Sequence, residues 1–453
     1  MEQPMKQFIF SLILFSSLRS QIPTPYAAEY ARPSEEWVRN GIIYEVYTRA
    51  FSNEGTFAGV EQRLPELKKL GVTILWFMPI HPIGEKNRKG TLGSPYSVKD
   101  YYGINPEFGT LDDFKRLLAK AHELGFKVII DLVANHTAWD SKMAEEHPEW
   151  FTKDSAGNFV PPVADWSDVI DLNYDNKELR SYMIDMMKYW VRDVGIDGFR
   201  CDVSEMVPTD FWNEARAALD SIKPIFMLSE GMHAEHHLKA FDATYGWNSY
   251  HTMAAIFKGE KPASELDSVL RRESLAYPKG SLRMRFSSNH DENAWDNPDV
   301  VKFGKEGAKL AAVLTATYPG IPLLYNGQEV GNSTKLGLFE KFAIDWTKGT
   351  EWIEFYKKIF SIRAHNHSLA SGDYQYVKNT RPREVYTFIR TTGKNTILAA
   401  FNFSAGERTV RLELPKAFPS LTFTNAFTGK KTPYKNVATL TLPKFGYRVF
   451  IVE

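Results

Sequence analysis

Apolar and polar positions alternate along most of the chain in one repeating rhythm. A stretch with helical spacing ends at Gly or Pro, and a short β-branched run follows it. The clearest example places Leu111, Phe114, Leu117, Leu118, Ala121 and Leu124 on one face of a helix. Thr110 and Asp113 stand at its start in the spacing of a capping box, and Gly125 closes it. Positions 127–133 then read as a near-continuous apolar strand, as expected for a parallel strand covered on both faces. The same unit recurs at 61–70 with 72–77, 178–194 with 198–203, 211–222 with 225–228 and 305–318 with 321–325. Strands at 42–47 and 283–287 complete the series. Repeated βα units predict an α/β fold, either a closed (β/α)8 TIM barrel or an open doubly wound sheet. No G-x-G-x-x-G or Walker sequence follows the first strand, which favours the barrel.

From about Tyr374 the rhythm changes. Runs at 384–390, 396–403, 408–414, 439–442 and 447–452 have strand character with no helix between them. They predict a C-terminal antiparallel β-sandwich domain over 374–453. The N-terminus differs again. Lys6 precedes an apolar run at 8–18, too short to span a bilayer but of the length of a signal-peptide core. The expected organisation is a signal peptide over 1–28 and a barrel over 29–373, with a short inserted domain at 137–172 after the third strand. Export to the periplasm or the exterior follows from it. No later run has membrane-spanning length.

Composition narrows the function. The 55 Lys and Arg balance 55 Asp and Glu, so charge gives no reason to expect a nucleic-acid partner. A single cysteine, Cys201, can form neither an intramolecular disulfide nor a thiolate metal cluster. The informative residues are those at the C-terminal ends of the strands, where parallel barrels build their active sites. Asp131, Asn135 and His136 follow one strand, and Arg200 and Asp202 another. Glu230 follows a third, and His290 with Asp291 a fourth. One strand-end acid is an ordinary helix cap; acids at four strand ends, interleaved with Arg and His, form a pattern. Two carboxyl groups are what glycoside hydrolysis needs, one as nucleophile or base and one as acid. Arg200 and Asp202 share a strand face, so the guanidinium favours the ionised carboxylate. Glu230 follows Phe226, Met227 and Leu228, a setting that raises a carboxyl pKa.

These residues resemble the motifs of glycoside hydrolase family 13, the α-amylase family, across nearly all of the chain after the signal. The run 131–136, Asp-Leu-Val-Ala-Asn-His, is similar to the first motif, and 198–202, Gly-Phe-Arg-Cys-Asp, to the second. Glu230 in Leu-Ser-Glu-Gly matches the third, and 288–291, Ser-Asn-His-Asp, the fourth. Asp171-Leu172-Asn173 resembles a further motif near the end of the insert. The resemblance implies that Asp202 is the nucleophile and Glu230 the acid and later the base, with Asp291 stabilising the transition state. Tyr96, His136, Arg200 and His290 would hold the sugar at the cleavage point, with Tyr96 stacked beneath it. It also implies a candidate structural calcium at Asn135 and Asp171, although two donors fall short of the six to eight that calcium takes. No organic cofactor is implied.

Departures from the family pattern bear on substrate. Glu205-Met206 stand where many starch-cleaving members carry Lys-His, and Ser97 follows Tyr96 where exo-acting members carry Asp. The expected substrate is an α-glucan or malto-oligosaccharide, hydrolysed with retention. Competing readings on the same scaffold are a transglycosylase and a neopullulanase or cyclomaltodextrinase type of enzyme. A non-catalytic relative that binds sugar or a protein is a third, disfavoured because all three acids are present.

Overall fold

A computed structural model describes residues 24–415, 420–435 and 438–452. Most of the expected signal segment, residues 1–23, lies outside them. Eight parallel strands close into a barrel: β1 (Ile43–Val46), β2 (Ile74–Phe77), β3 (Lys127–Leu132), β4 (Gly198–Cys201), β5 (Phe226–Ser229), β6 (Ala243–Tyr245), β7 (Leu282–Arg285) and β8 (Ile321–Tyr325). Closure is direct, since Ile43 of β1 pairs with Ile74 of β2 on one side and Leu323 of β8 on the other. The closed sheet excludes the doubly wound alternative.

Seven of these strands coincide with the apolar runs in the sequence. The eighth, β6, carries only Ala243, Thr244 and Tyr245, too short to show a period. The helix before β3, Leu111–Glu123, is started by the expected capping box. Asp113 N–H donates to Thr110 Oγ1 at 3.2 Å while Thr110 N–H donates to Asp113 Oδ2 at 2.9 Å. Gly125, at φ 79°, ends it in the left-handed region. At the entry to β4 the backbone leaves no room for a side chain. Gly198 has φ 144°, and a Cβ there would meet the Phe226 carbonyl oxygen at 1.9 Å. That close approach seats β4 against β5 and so sets the relative height of the two strands that bear Asp202 and Glu230.

The insert after β3 is a two-stranded ribbon, His136–Ala138 against Val169–Asp171, closing over a short helix, Lys142–Glu146. The C-terminal domain begins with a strand at Asp373–Tyr376, where the sequence rhythm changes. It comprises a six-stranded sheet and a two-stranded sheet, both antiparallel. Strands at Ser420–Asn425 and Lys431–Lys435 were not apparent as strands in the sequence. A buried arginine of this domain reaches the barrel: Arg390 Nη1 donates to the carbonyls of Thr317 and Leu369. Among the described residues no helix is long and apolar enough to cross a membrane.

Candidate active site

Arg200 is the centre of the site. It is fully buried on β4, and its fork gathers carboxylates from three strand ends. Nη1 lies 2.8 Å from Asp131 Oδ1 and 2.8 Å from Asp202 Oδ1, while Nη2 lies 2.8 Å from Glu230 Oε2. Nε donates to the Tyr245 hydroxyl on β6 at 3.1 Å. Asp131 also accepts from Trp76 Nε1 at 3.3 Å and from the Tyr96 hydroxyl at 3.2 Å. The planar guanidinium, with donors in fixed directions, is what allows one cation to serve three acids.

The loops after β4 and β5 are tied together. Asp202 N–H donates to the Leu132 carbonyl, and Glu230 N–H to that of Cys201. Val203, immediately after Asp202, sits at φ 35°, in the left-handed region that β-branched residues avoid. This conformation aims its N–H at Glu230 Oε2, 2.8 Å away. Glu205, which the sequence singled out, spans the same gap: its carboxylate accepts the Met232 N–H and lies 3.7 Å from His233 Nε2.

Burial pushes the Glu230 carboxyl above its ordinary range, with Arg200 opposing. The expectation for Asp202 needs amending. Arg200 does favour its ionised form, but burial outweighs it and the net direction is upward. Asp131, wholly enclosed, is pushed up to about 7 by burial against the pull of Arg200. Three carboxyls around one guanidinium do not ionise independently.

The two histidines differ in charge state. Asn135 Nδ2 donates to His136 Nδ1 at 3.2 Å, which leaves the ring proton on Nε2, 4.0 Å from Asp202 Oδ2. Burial holds His136 neutral, with its pKa lowered to about 4. Burial opposes the imidazolium of His290 too, but Asp291 and Glu45 outweigh it and raise the pKa to about 9. His290 Nε2 lies 2.7 Å from the Tyr96 hydroxyl and 3.3 Å from Asp291 Oδ2. The Tyr96 and His290 rings are stacked, 5.4 Å apart at 21°. Asp291 is the most open of the three candidate catalytic acids, with 34% of its side chain exposed against 9% for Asp202 and 13% for Glu230.

Asn135 immediately precedes the ribbon strand whose first residue, His136, pairs with Asp171, and its carbonyl accepts the Leu172 N–H. The Asn135 amide is turned to His136, and Asp171 Oδ2 accepts from Thr152 Oγ1 at 2.6 Å. Among the described residues no group of three or more His, Cys, Asp or Glu is placed to hold a metal. Ser97 is buried, its hydroxyl donating to the Asp168 carbonyl at 2.9 Å, so it does not present a grip to the cleft.

Carboxylates, an arginine and two histidines converging at the C-terminal ends of the strands of a closed (β/α)8 barrel define a barrel enzyme. Comparison with known proteins specifies which kind. Residues 35–168 and 150–371 match the alpha amylase catalytic domain, and 374–449 the maltogenic amylase C-terminal domain. The chain belongs to the α-amylase family, glycoside hydrolase family 13, and is a glycoside hydrolase. A noncanonic maltogenic alpha-amylase from Thermotoga neapolitana is 34% identical, with a TM-score of 0.84 over 92% of this chain and 100% of that one. An alpha-amylase from Lactobacillus plantarum is also 34% identical, with a TM-score of 0.83 over the same shares. Neopullulanase 2 of Thermoactinomyces vulgaris is 27% identical over 84% of this chain and 72% of its own. An alpha-amylase of Haloarcula japonica is 27% identical over 85% of this chain, which spans 58% of that relative's length.

The structure thus assembles Tyr96, His136, Arg200, Asp202, Glu230, His290 and Asp291 in one cluster. It also adds three residues that sequence reasoning passed over: Glu45, Trp76 and Tyr245. Glu45 alone left a signal, an acid inside the apolar run 42–47.

Proposed function

We propose that the protein is an exported, retaining α-glycosidase that hydrolyses α-glucosidic bonds in starch-like glucans or malto-oligosaccharides by double displacement. The observation that carries this is the joining of Asp202 and Glu230 through Arg200, with Asp291 open to the cleft beside them. In the first step an Asp202 carboxylate oxygen bonds to the anomeric carbon as the glycosidic C–O bond breaks, and Glu230 gives its proton to the departing oxygen. Both contacts to Glu230 fall on Oε2, so Oε1 is the oxygen that carries the transferable proton. In the second step Glu230 takes a proton from water, the water oxygen bonds to the anomeric carbon and Asp202 is released. Asp291 and the Tyr96 face stabilise the cationic ring, while His136 and protonated His290 act as hydrogen-bond donors that hold the sugar's hydroxyls.

A neopullulanase or cyclomaltodextrinase type of specificity is the second reading. It is supported by the match of the C-terminal domain to that of maltogenic amylase and by the names of several relatives. A product profile on soluble starch, pullulan, cyclodextrins, trehalose and sucrose separates the readings, and repeating it with excess maltose reveals transglycosylation. Release of no sugar from any of them would overturn the glycosidase assignment. The export proposal rests on the run at 8–18 and is tested by finding the protein, shortened at its N-terminus, outside the cytoplasm.

A further inference from the structure

Glu45 has no part in the mechanism above, yet it occupies the floor of the same site. It lies at the middle of the barrel's rungs, paired in register with Trp76 of β2 and Tyr325 of β8, and is fully buried. Its Oε1 is 2.5 Å from His290 Nδ1, and its Oε2 has no hydrogen-bond partner. A carboxylate with one oxygen bare in the barrel interior is costly, whereas a glutamine would hold a neutral imidazole equally well. The charge is tolerable when the group it faces is a cation. The cluster supplies a reason for one. Glu45, Asp131, Asp202, Glu230 and Asp291 converge here, and Arg200 contacts only the middle three. Glu45 and Asp291 have instead the two nitrogens of His290.

We infer that Glu45 is a positioning residue that keeps His290 an imidazolium, with Nε2–H directed at Asp291, the Tyr96 hydroxyl and the sugar at the cleavage point. This rests on the α-glycosidase reading of the site. His290 is then a fixed cationic donor while His136, 4.0 Å from Asp202, is a neutral one. The groups that bear on His290 are Glu45 from β1, the Tyr96 hydroxyl, Asp131 from β3, Arg200 and Asp202 from β4, Glu230 from β5 and its neighbour Asp291. Arg200 alone among them opposes the imidazolium. The raised His290 pKa accords with this balance.

The test is NMR of the free enzyme with isotope-labelled histidine, the His290 resonance being assigned by its loss in His290→Gln. In the unmutated protein His290 should stay protonated beyond pH 8. In Glu45→Gln its midpoint should fall by at least one pH unit. For the same variant kcat/KM on a malto-oligosaccharide should drop about twofold or more further at pH 8 than at pH 6, the change in protonated His290 that a one-unit fall from about 9 brings. A wild-type His290 that titrates near 6.5, a midpoint unmoved in the variant, or a loss of activity equal at both pH values would each overturn the inference. Should Glu45→Gln fail to fold, the wild-type titration decides alone. Failure of the unmutated enzyme to turn over any glucoside would sink the glycosidase reading and leave the NMR comparison intact.

Discussion

Replacing Arg200 with lysine tests whether the fork, rather than the charge, organises the site. The guanidinium makes contacts of 2.8 Å with Asp131, Asp202 and Glu230 and a fourth of 3.1 Å with Tyr245. An ammonium keeps the charge but presents it at one point on a flexible stem. It can remain between Asp131 and Asp202, on the Nη1 side, while the Glu230 and Tyr245 contacts are lost. Each hydrogen bond to a charged group contributes about 1.5–3 kcal/mol. The Tyr245 contact is such a bond and the Glu230 contact an ion pair without hydrogen-bond geometry, so stability should fall by at least about 1.5–3 kcal/mol, or Tm by roughly 2–6 °C for a domain of this class. The catalytic loss is of another kind. Asp202 and Glu230 no longer share a rigid clamp, and kcat should fall by about a hundredfold, the scale of a displacement on the order of 1 Å at reacting groups. The acidic limb of the pH profile should move as well. Burial already raises Asp202 and Arg200 opposes it, so a less well placed cation lets the pKa rise and shifts that limb to higher pH. Thermal unfolding and kcat against pH on an aryl maltoside would measure all three effects. A variant with the Tm, kcat and acidic limb of the unmutated enzyme would show that the fork is dispensable, and the reasoning would fail.

Further outcomes follow from the same geometry. Asp202→Asn should abolish turnover at every pH, because an amide does not form the ester. Glu230→Gln should lose about 10²–10⁴ in rate on natural glucans but much less in the first step on activated aryl glycosides, which need little protonation. Equal losses on both substrates would remove Glu230 from the acid role. The first product seen by NMR should be the α-anomer, and early β product would refute retention. His81 and His136 are held neutral by burial, each lowered to about 4 from 6.5. Below 6.5 the unfolded chain binds protons that the folded one refuses, so stability should decline as pH falls from about 6.5 towards 4. Each histidine costs about 3 kcal/mol by pH 4. His81→Gln should flatten part of that slope in denaturant titrations, and an unchanged slope would exclude His81 as a source. Since Ser97 is buried and bonded to Asp168, the enzyme should cut maltoheptaose blocked at its non-reducing end. Cleavage of the unblocked sugar only would show that another group grips the chain end. Ser97→Asp should lower the Tm instead of conferring exo action, because it buries a carboxylate against the Asp168 carbonyl oxygen that the hydroxyl now serves.

What the sequence determined by itself is what depends on neighbours along the chain. The helix at Leu111–Glu123 could be read because its capping box and apolar face are local, set by spacings of three and four residues. The strand ends could be read because Asp131, Asp202 and Glu230 fall at or just beyond the ends of short strand-like runs, and in a parallel barrel those ends face one way. The reading failed where the signal was too short or lay outside the segment. Strand β6 has three residues and no period, and the strand at Lys431–Lys435 has little apolar character to mark it. Tertiary structure alone decided which acids share a cation. Arg200 meets Asp131 and Glu230 only because β3, β4 and β5 lie side by side in register, the close approach at Gly198 seating β4 on β5. It also decided that Asp202 is raised, since burial is a property of the assembled site and not of the residues beside it in the chain. Glu45 and His290 are 245 positions apart, and closure of the barrel from β8 onto β1 is what sets an acid of the first strand against the histidine after the seventh.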